Sequence, residues 1–421
     1  MLYFCTLITE KRFRVMAYQK YTLPNGIRIA YQHTTSNVAY CGYAIDAGTR
    51  DELPLESGMA HFVEHLSFKG TTHRKAWHIL NRMENVGGDT NAFTNKEETI
   101  YYSTFMSQHT QRAVDLLTDI VFHSTFPQAE INKEVEVIID EIQSYDDTPG
   151  DLIFDEFEEL LFDGHPLGRN ILGNAERLRK FTTNDALAFT KRYYQPANSV
   201  FFYIGDIRFD RLIRMMEKAT SDLVQTKQMH YRDMPGEYVP KHITKEKDTH
   251  QAHVIMGTRS YKALDKRGTA LYLLNNILGG PGMNSRLNVS LRERRGLVYN
   301  VESNLTTYTD AGLFSIYFGT DIHDINKCID LTLKELKRFR EEPLTLARLH
   351  AAQKQIEGQM GVSEDNNEAN SSDMGKSVLH YDRFDSLDLV KERFNGVTPE
   401  LLQEVARDIF DENNLSVLIY K

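Results

Sequence analysis

The chain has 421 residues, 41% of them hydrophobic and 26% charged, and a formal net charge of −10. That length suits two globular domains, each able to bury its own core, and the acidic balance argues against a nucleic-acid partner while permitting basic substrates. There is no run of eighteen apolar residues, which argues against a transmembrane helix and a membrane partner.

Residues 1–15, MLYFCTLITEKRFRV, hold a short apolar run with no basic region before it and no small-residue cleavage site. They read as an upstream extension rather than a signal peptide, with the globular pattern beginning near Ala17. The three cysteines, Cys5, Cys41 and Cys328, are scattered and odd in number, so a reduced, cytoplasmic chain is the expectation.

Residues 18–45 read as strands. YTLPNGIRIAYQH sets Asn25-Gly26 between alternating runs, a hairpin signal, and NVAYCGYAIDAG continues the β pattern. A helix follows at residues 58–70, GMAHFVEHLSFKG, in which His61 and His65 stand four apart on one face with Glu64 one step to the side. This is the order His-x-x-Glu-His: two imidazoles suit zinc, and an adjacent carboxylate suits a general base within reach of a water held there. The competing reading is a pair of satisfied core histidines. A third protein donor separates the two, because a catalytic zinc site takes three protein ligands and leaves one position open.

An amphipathic helix is expected over 76–86, ending at Gly87-Gly88, and a strand over 89–105, rich in Thr, Tyr and Phe. Helices at 108–122 and 128–144 are separated by Pro127. The second of these runs into an acidic stretch, EINKEVEVIIDEIQSYDD, where Glu134 and Glu141 lie seven apart beside an apolar stripe, so that one of them can reach a metal. Further helices are expected at 154–162 and 183–194, then a strand at 199–205; His165, in HPLGRNILG, reads as structural.

A second half then repeats the first weakly. Thr183, Leu187, Arg192 and Asn198 stand at the same offsets as Thr398, Leu402, Arg407 and Asn413, each set leading into an apolar strand. The polar stretch 222–239 is the expected linker, giving domains at 17–221 and 240–421. Where the metal motif would recur the second half reads TALYLLNNILGG, which cannot bind a metal. Its notable segment is GMNSRLNVSLRERRGLVYNV, with Arg292 and Tyr299 seven apart: a planar fork for a carbonyl or carboxylate, and a hydroxyl that can hydrogen-bond a peptide.

These residues resemble the M16 (pitrilysin-like, inverzincin) zinc metallopeptidases over nearly the whole chain. The resemblance implies an α+β fold of two duplicated domains, half of a clamshell, and zinc on His61, His65 and Glu141, the last lying about 75 residues beyond the histidines in a pattern like E-x6-E. It makes Glu64 the general base and Glu134 an accessory carboxylate. Asn91 and Ala92 would open an edge strand that takes up substrate by strand addition, and Arg292 and Tyr299 would bind substrate from the second domain, Tyr299 also steadying the reacting carbonyl. The implied activity is zinc-dependent hydrolysis of peptides or unfolded chains inside a closed dimer, a homodimer or a heterodimer with a paralogue. Two rivals stand beside it: a catalytically silent peptide-binding or assembly subunit, against which the intact motif argues, and a small-molecule lyase using the same zinc motif, against which the second domain argues.

Overall fold

A computed structural model describes residues 18–225, 231–247 and 249–421; the proposed N-terminal extension, the domain start at Ala17 and part of the 222–239 linker lie outside the described residues. The first half contains β1 (Gln19–Thr22), β2 (Arg28–His33), β3 (Val38–Ile45), α1 (Met59–Leu66), α2 (Ala76–Glu84), β4 (Asp89–Thr94), β5 (Thr99–Met106), α3 (Thr110–Phe122), α4 (Gln128–Asp146), α5 (Pro149–Leu161), α6 (Ala175–Leu178), α7 (Thr183–Tyr193), β6 (Ser199–Gly205) and α8 (Phe209–Ala219). The second contains β7 (His242–Lys245), β8 (Ala252–Arg259), α9 (Gly268–Gly279), a π-helical turn (Asn288–Glu293), β9 (Val298–Thr307), β10 (Gly312–Thr320), α10 (Ile325–Glu341), α11 (Leu346–Ser363), α12 (Asn367–Tyr381), α13 (Leu387–Asn395), α14 (Pro399–Ile409) and β11 (Ser416–Tyr420). The fold is α+β. None of the described helices is long and apolar enough to cross a membrane.

The strands form two mixed sheets, ordered β1-β2-β6-β3-β5-β4 and β7-β11-β8-β10-β9. From β2 onward the first sheet matches the second strand for strand, with β6 and β11 each parallel to their outer neighbour and antiparallel to the central strand. The edge strand β4 therefore has β9 as its counterpart. The strand expected over 89–105 is in fact the β4/β5 hairpin, because Asn95 turns the chain: its N–H donates to the Glu98 carbonyl at 2.8 Å and its side-chain amide to Glu98 Oε1 at 2.6 Å.

The central strands VAYCGYAI and SVFFYIG carry apolar side chains on both faces, so both faces need cover. On one face Tyr43, Phe201 and Tyr203 join a core with residues of α1, α3 and α8. The other face, with Ala44, Val200, Phe202 and Ile204, is closed by Met374, Val378 and Leu379 of α12, a helix from the second half. The loan is mutual: Ile153, Phe157 and Leu161 of α5 pack on Ile255, Leu313, Tyr317 and Leu418 of the second sheet. Phe202 needs two glycines to fit, since a Cβ on Gly42 would stand 2.3 Å from its ring and one on Gly375 2.4 Å.

A buried ion network ties the halves through the linker. Arg50 pairs with Glu97 at 2.6 Å and with Asp310 at 2.6 Å, while Arg232 holds Asp51 at 2.8 Å. Burial pulls the Arg232 guanidinium down, but Asp51, Asp46 and Glu97 outweigh it and raise its pKa. The linker segment carrying Arg232 is thus packed, not a free tether. Its neighbour Asp233 offers its carbonyl to His165 Nε2 at 2.9 Å, which gives His165 a structural occupation.

Candidate metal centre

The motif helix α1 begins at Gly58, whose φ of +90° is left-handed and whose missing Cβ would meet the Leu172 carbonyl at 2.8 Å. Its first amides are capped from outside: Glu52 accepts from the Gly58 N–H at 3.1 Å and the Ala60 N–H at 2.9 Å. Phe62, Val63 and Leu66 anchor the apolar face in the core, so rotation of the helix is set by burial and the histidines point where that leaves them.

They point at α4. Nε2 of His61 and of His65 lie 3.9 and 3.8 Å from Glu141 Oε2, and one ligand atom from each of the three residues falls within 4.8 Å of the others. A tetrahedral zinc with bonds of about 2.0 Å has ligand atoms about 3.3 Å apart, so a small inward movement of Glu141, which is only half-buried, completes the set. Two turns earlier on the same helix, Glu134 Oε1 is 3.0 Å from His65 Nδ1 and its Oε2 is 2.7 Å from Lys69 Nζ. That bond leaves Nε2 of His65 free to face Glu141. His61 does not behave as a packing residue: its Nδ1 is buried without a hydrogen-bond partner among the described residues. The donor set fits zinc.

Glu64 stands aside from the three. Its Oε2 accepts from Thr94 Oγ1 at 3.1 Å, and in the metal-free chain burial pushes its carboxyl up to about 7. Burial, then the neighbouring His65, pushes His61 down to about 3, which favours a neutral imidazole. For His65 burial acts the same way, but Glu134, Glu64 and Glu141 outweigh it and raise the pKa. Burial would raise Glu134 too, yet its bonds to His65 and Lys69 hold it low and ionised.

Asn91 and Ala92 lie on β4, whose outer edge has no partner strand among the described residues. The Ala92 N–H donates to Asn91 Oδ1 at 2.8 Å and the Thr90 N–H to Asp89 Oδ1 at 2.8 Å, so local side chains satisfy these two amides. Arg292 and Tyr299 lie in the second half, Arg292 exposed on the π-helical turn and Tyr299 84% exposed near the start of β9. Arg292 borders a pocket with Ser285, Asn288 and Glu302. Among the described residues no hydrogen bond or ion pair joins either side chain to the histidine cluster, and neither has a side-chain partner of its own. Sequence reasoning missed Glu52, Lys69 and Thr94: each acts across the fold, and no spacing marks it.

Two α+β halves, one of them presenting a His-x-x-Glu-His helix to a glutamate on a neighbouring helix, define a protein of the zinc-protease type. The chain belongs to peptidase family M16. Residues 28–175 match the model of insulinase (peptidase family M16), and residues 180–356 match that of the peptidase M16 inactive domain. The uncharacterized zinc protease YmxG of Bacillus subtilis is 33% identical over 403 residues, covering 95% of this chain and 98% of the relative. An uncharacterized zinc protease of Rickettsia bellii is 31% identical, covering 94% and 96%. Among solved structures, a peptidase M16 inactive domain from Pseudomonas fluorescens superposes with a TM-score of 0.89 at 18% identity, covering 96% of this chain and 97% of that one. A protease from Helicobacter pylori superposes at 0.86 and 21% identity, covering 96% and 99%. At those identities the structures speak for the fold alone.

Proposed function

We propose that the chain is a zinc-dependent endopeptidase acting on peptides or unfolded polypeptides. The observation that carries this reading is the convergence of His61, His65 and Glu141 beside a buried carboxylate, Glu64, that is not part of the donor set. Zinc held there would supply a Lewis acid and a water acidified towards neutrality. Glu64, buried beside the histidines and held by Thr94, would act as the general base towards a water in the site and would pass the proton to the leaving amine. Glu134 orients His65. Outside the metal cluster, β4 receives an extended substrate as an added strand, with the Asn91 side chain swinging off the Ala92 amide to expose it, and Arg292 and Tyr299 hold the substrate from a second-half domain.

The two halves correspond to a catalytic domain over 17–221 and a metal-free domain over 240–421. Two chains, identical or paralogous, close around the substrate in the cytoplasm. A catalytically silent subunit is the second reading, favoured by a second half without the zinc motif, whose Tyr299 is 84% exposed. Zinc content of the purified protein, taken with cleavage of a mixed peptide library before and after chelation, decides between them. Zinc binding with chelator-sensitive cleavage supports the peptidase; zinc-free protein, or cleavage indifferent to chelator, overturns it.

A further inference from the structure

A second group of metal-ligating side chains lies outside this centre, on the segment that follows α1. His73 sits on a loop held by bridges between Gly70 and Lys75 and between Thr71 and Ser124; Asp119 is buried on α3, and His123 caps the C-terminal end of α3. One ligand atom from each lies within 4.8 Å of the others. Asp119 Oδ1 is the point of convergence: His73 Nδ1 is 2.7 Å from it and His123 Nδ1 3.7 Å. The other oxygen is already occupied, accepting from Thr71 Oγ1 at 2.7 Å and from Arg74 Nη1 at 2.5 Å.

The His123 ring is oriented from behind. Its Nε2 is 2.9 Å from Asp222 Oδ2, so in the neutral ring Nε2 carries the proton and Nδ1 the lone pair. That Nδ1 is buried and has no hydrogen-bond partner among the described residues. A lone pair facing a carboxylate oxygen at 3.7 Å is repulsive, and the separation is too long for a hydrogen bond if Nδ1 were protonated instead. A cation between them removes the conflict. The carboxylate behind a ligating imidazole is the usual support of such a ring.

We propose that His73, Asp119 and His123 form a second divalent-cation site, of the zinc class that imidazole and carboxylate donors favour, with Asp222 as its orienting partner. The 3.7 Å separation of His123 from Asp119 is close to the about 3.3 Å between ligand atoms around a tetrahedral zinc. His73 must retreat by less than an ångström, and it is free to do so because its side chain is 59% exposed. The two arginines lining the pocket are engaged elsewhere, Arg74 on Asp119 Oδ2 and Asp115, and Arg82 on Asp115. Among the described residues, the other carboxylates lining this pocket are engaged, Asp115 by Arg74 and Arg82 and Asp222 by His123, so none is placed as Glu64 is beside the first set. The role is therefore structural, a staple joining the loop after the motif helix, α3, and the chain leaving α8.

The test is the zinc content of the full chain after equilibrium dialysis, with Co2+ absorption as a second probe of tetrahedral coordination. Wild-type protein should hold two equivalents and His73→Gln, at an exposed loop position, one. In a His61→Gln/His65→Gln chain, which lacks the first centre, one equivalent should remain. It should be lost on adding His123→Gln, and weakened about 10–100-fold by Asp222→Asn, the cost of removing an orienting partner. A His61→Gln/His65→Gln chain without bound metal overturns the proposal, as does metal that survives when His73→Gln and His123→Gln are both added to that chain. Because this arm is read without the first centre, its failure is distinct from failure of the peptidase reading.

Discussion

At the residue scale the metal centre divides its carboxylates by geometry. Glu64 is buried beside the imidazoles and, among the described residues, its carboxylate is hydrogen-bonded to Thr94 alone, so Glu64→Gln should keep zinc while lowering peptide hydrolysis by about 10²–10⁴-fold, the range for loss of a general base. Metal analysis alongside initial rates checks this; a zinc-replete mutant with unchanged rates would remove the role given to Glu64. Glu141 and Glu134 separate differently. Glu141 faces both Nε2 atoms, whereas Glu134 reaches only the far nitrogen of His65. Glu141→Gln should therefore abolish tight zinc binding at this centre, read in a chain that also carries His73→Gln and His123→Gln, and Glu134→Gln weaken binding there or activity by about 10–100-fold. Competition titration with a coloured chelator ranks the two, and the reverse order would show that the carboxylates exchange roles.

At the scale of elements, the helix lent to the first sheet can be probed where it is tightest. Gly375 of α12 lies against the Phe202 ring, which Gly42 confines from the other side, so Gly375→Val should overpack the contact and cost about 1–3 kcal/mol. Urea unfolding measures it; an unchanged midpoint would mean that α12 can slide on the sheet. The same helix is clasped by charge, His380 Nε2 lying 3.1 Å and Lys376 Nζ 3.6 Å from the buried Glu98 carboxylate. Burial would raise Glu98, but the His380 and Lys376 contacts outweigh it and its folded pKa is depressed. A depressed carboxylate contributes stability that is present above its unfolded pKa of about 4.3 and lost as pH falls below it. Stability of the wild type should thus drop more steeply than that of Glu98→Gln as pH falls from about 5, and parallel acid-unfolding curves would contradict the clasp.

For the whole molecule, the two kinds of equipment lie in different halves: the histidine cluster on α1 and α4, Arg292 and Tyr299 at the β9 end of the second sheet. If two chains close face to face, each histidine cluster meets the Arg292/Tyr299 pair of the other chain. Mixing Glu64→Gln chains with Tyr299→Phe chains should then restore activity, since each mixed dimer holds one composite site free of both substitutions. Subunit exchange followed by a peptide-cleavage assay gives the result. Confirmed exchange without recovery would place both sets of residues in service of one chain, or leave Tyr299 without a catalytic part.

The sequence by itself determined the local half of this picture. Helical spacing puts His61 and His65 on one face and Glu134 and Glu141 two turns apart, and alternating apolar runs mark the strands, because residues a few positions apart have their relative directions set by backbone geometry alone. That Glu141 belongs with the histidines needed a resemblance, as no local rule joins positions so far apart. Tertiary structure decided the rest: the Asn95 turn that breaks the expected 89–105 strand, the loan of α5 and α12 across the halves, the packing of Arg232 into an ion network, and the supports from Glu52, Lys69 and Thr94. It also brought His73 to Asp119 and His123, residues that share no motif. Each of these rests on contacts between segments far apart in the chain, chosen by which apolar faces can be buried together, and that choice is made only when the whole molecule closes.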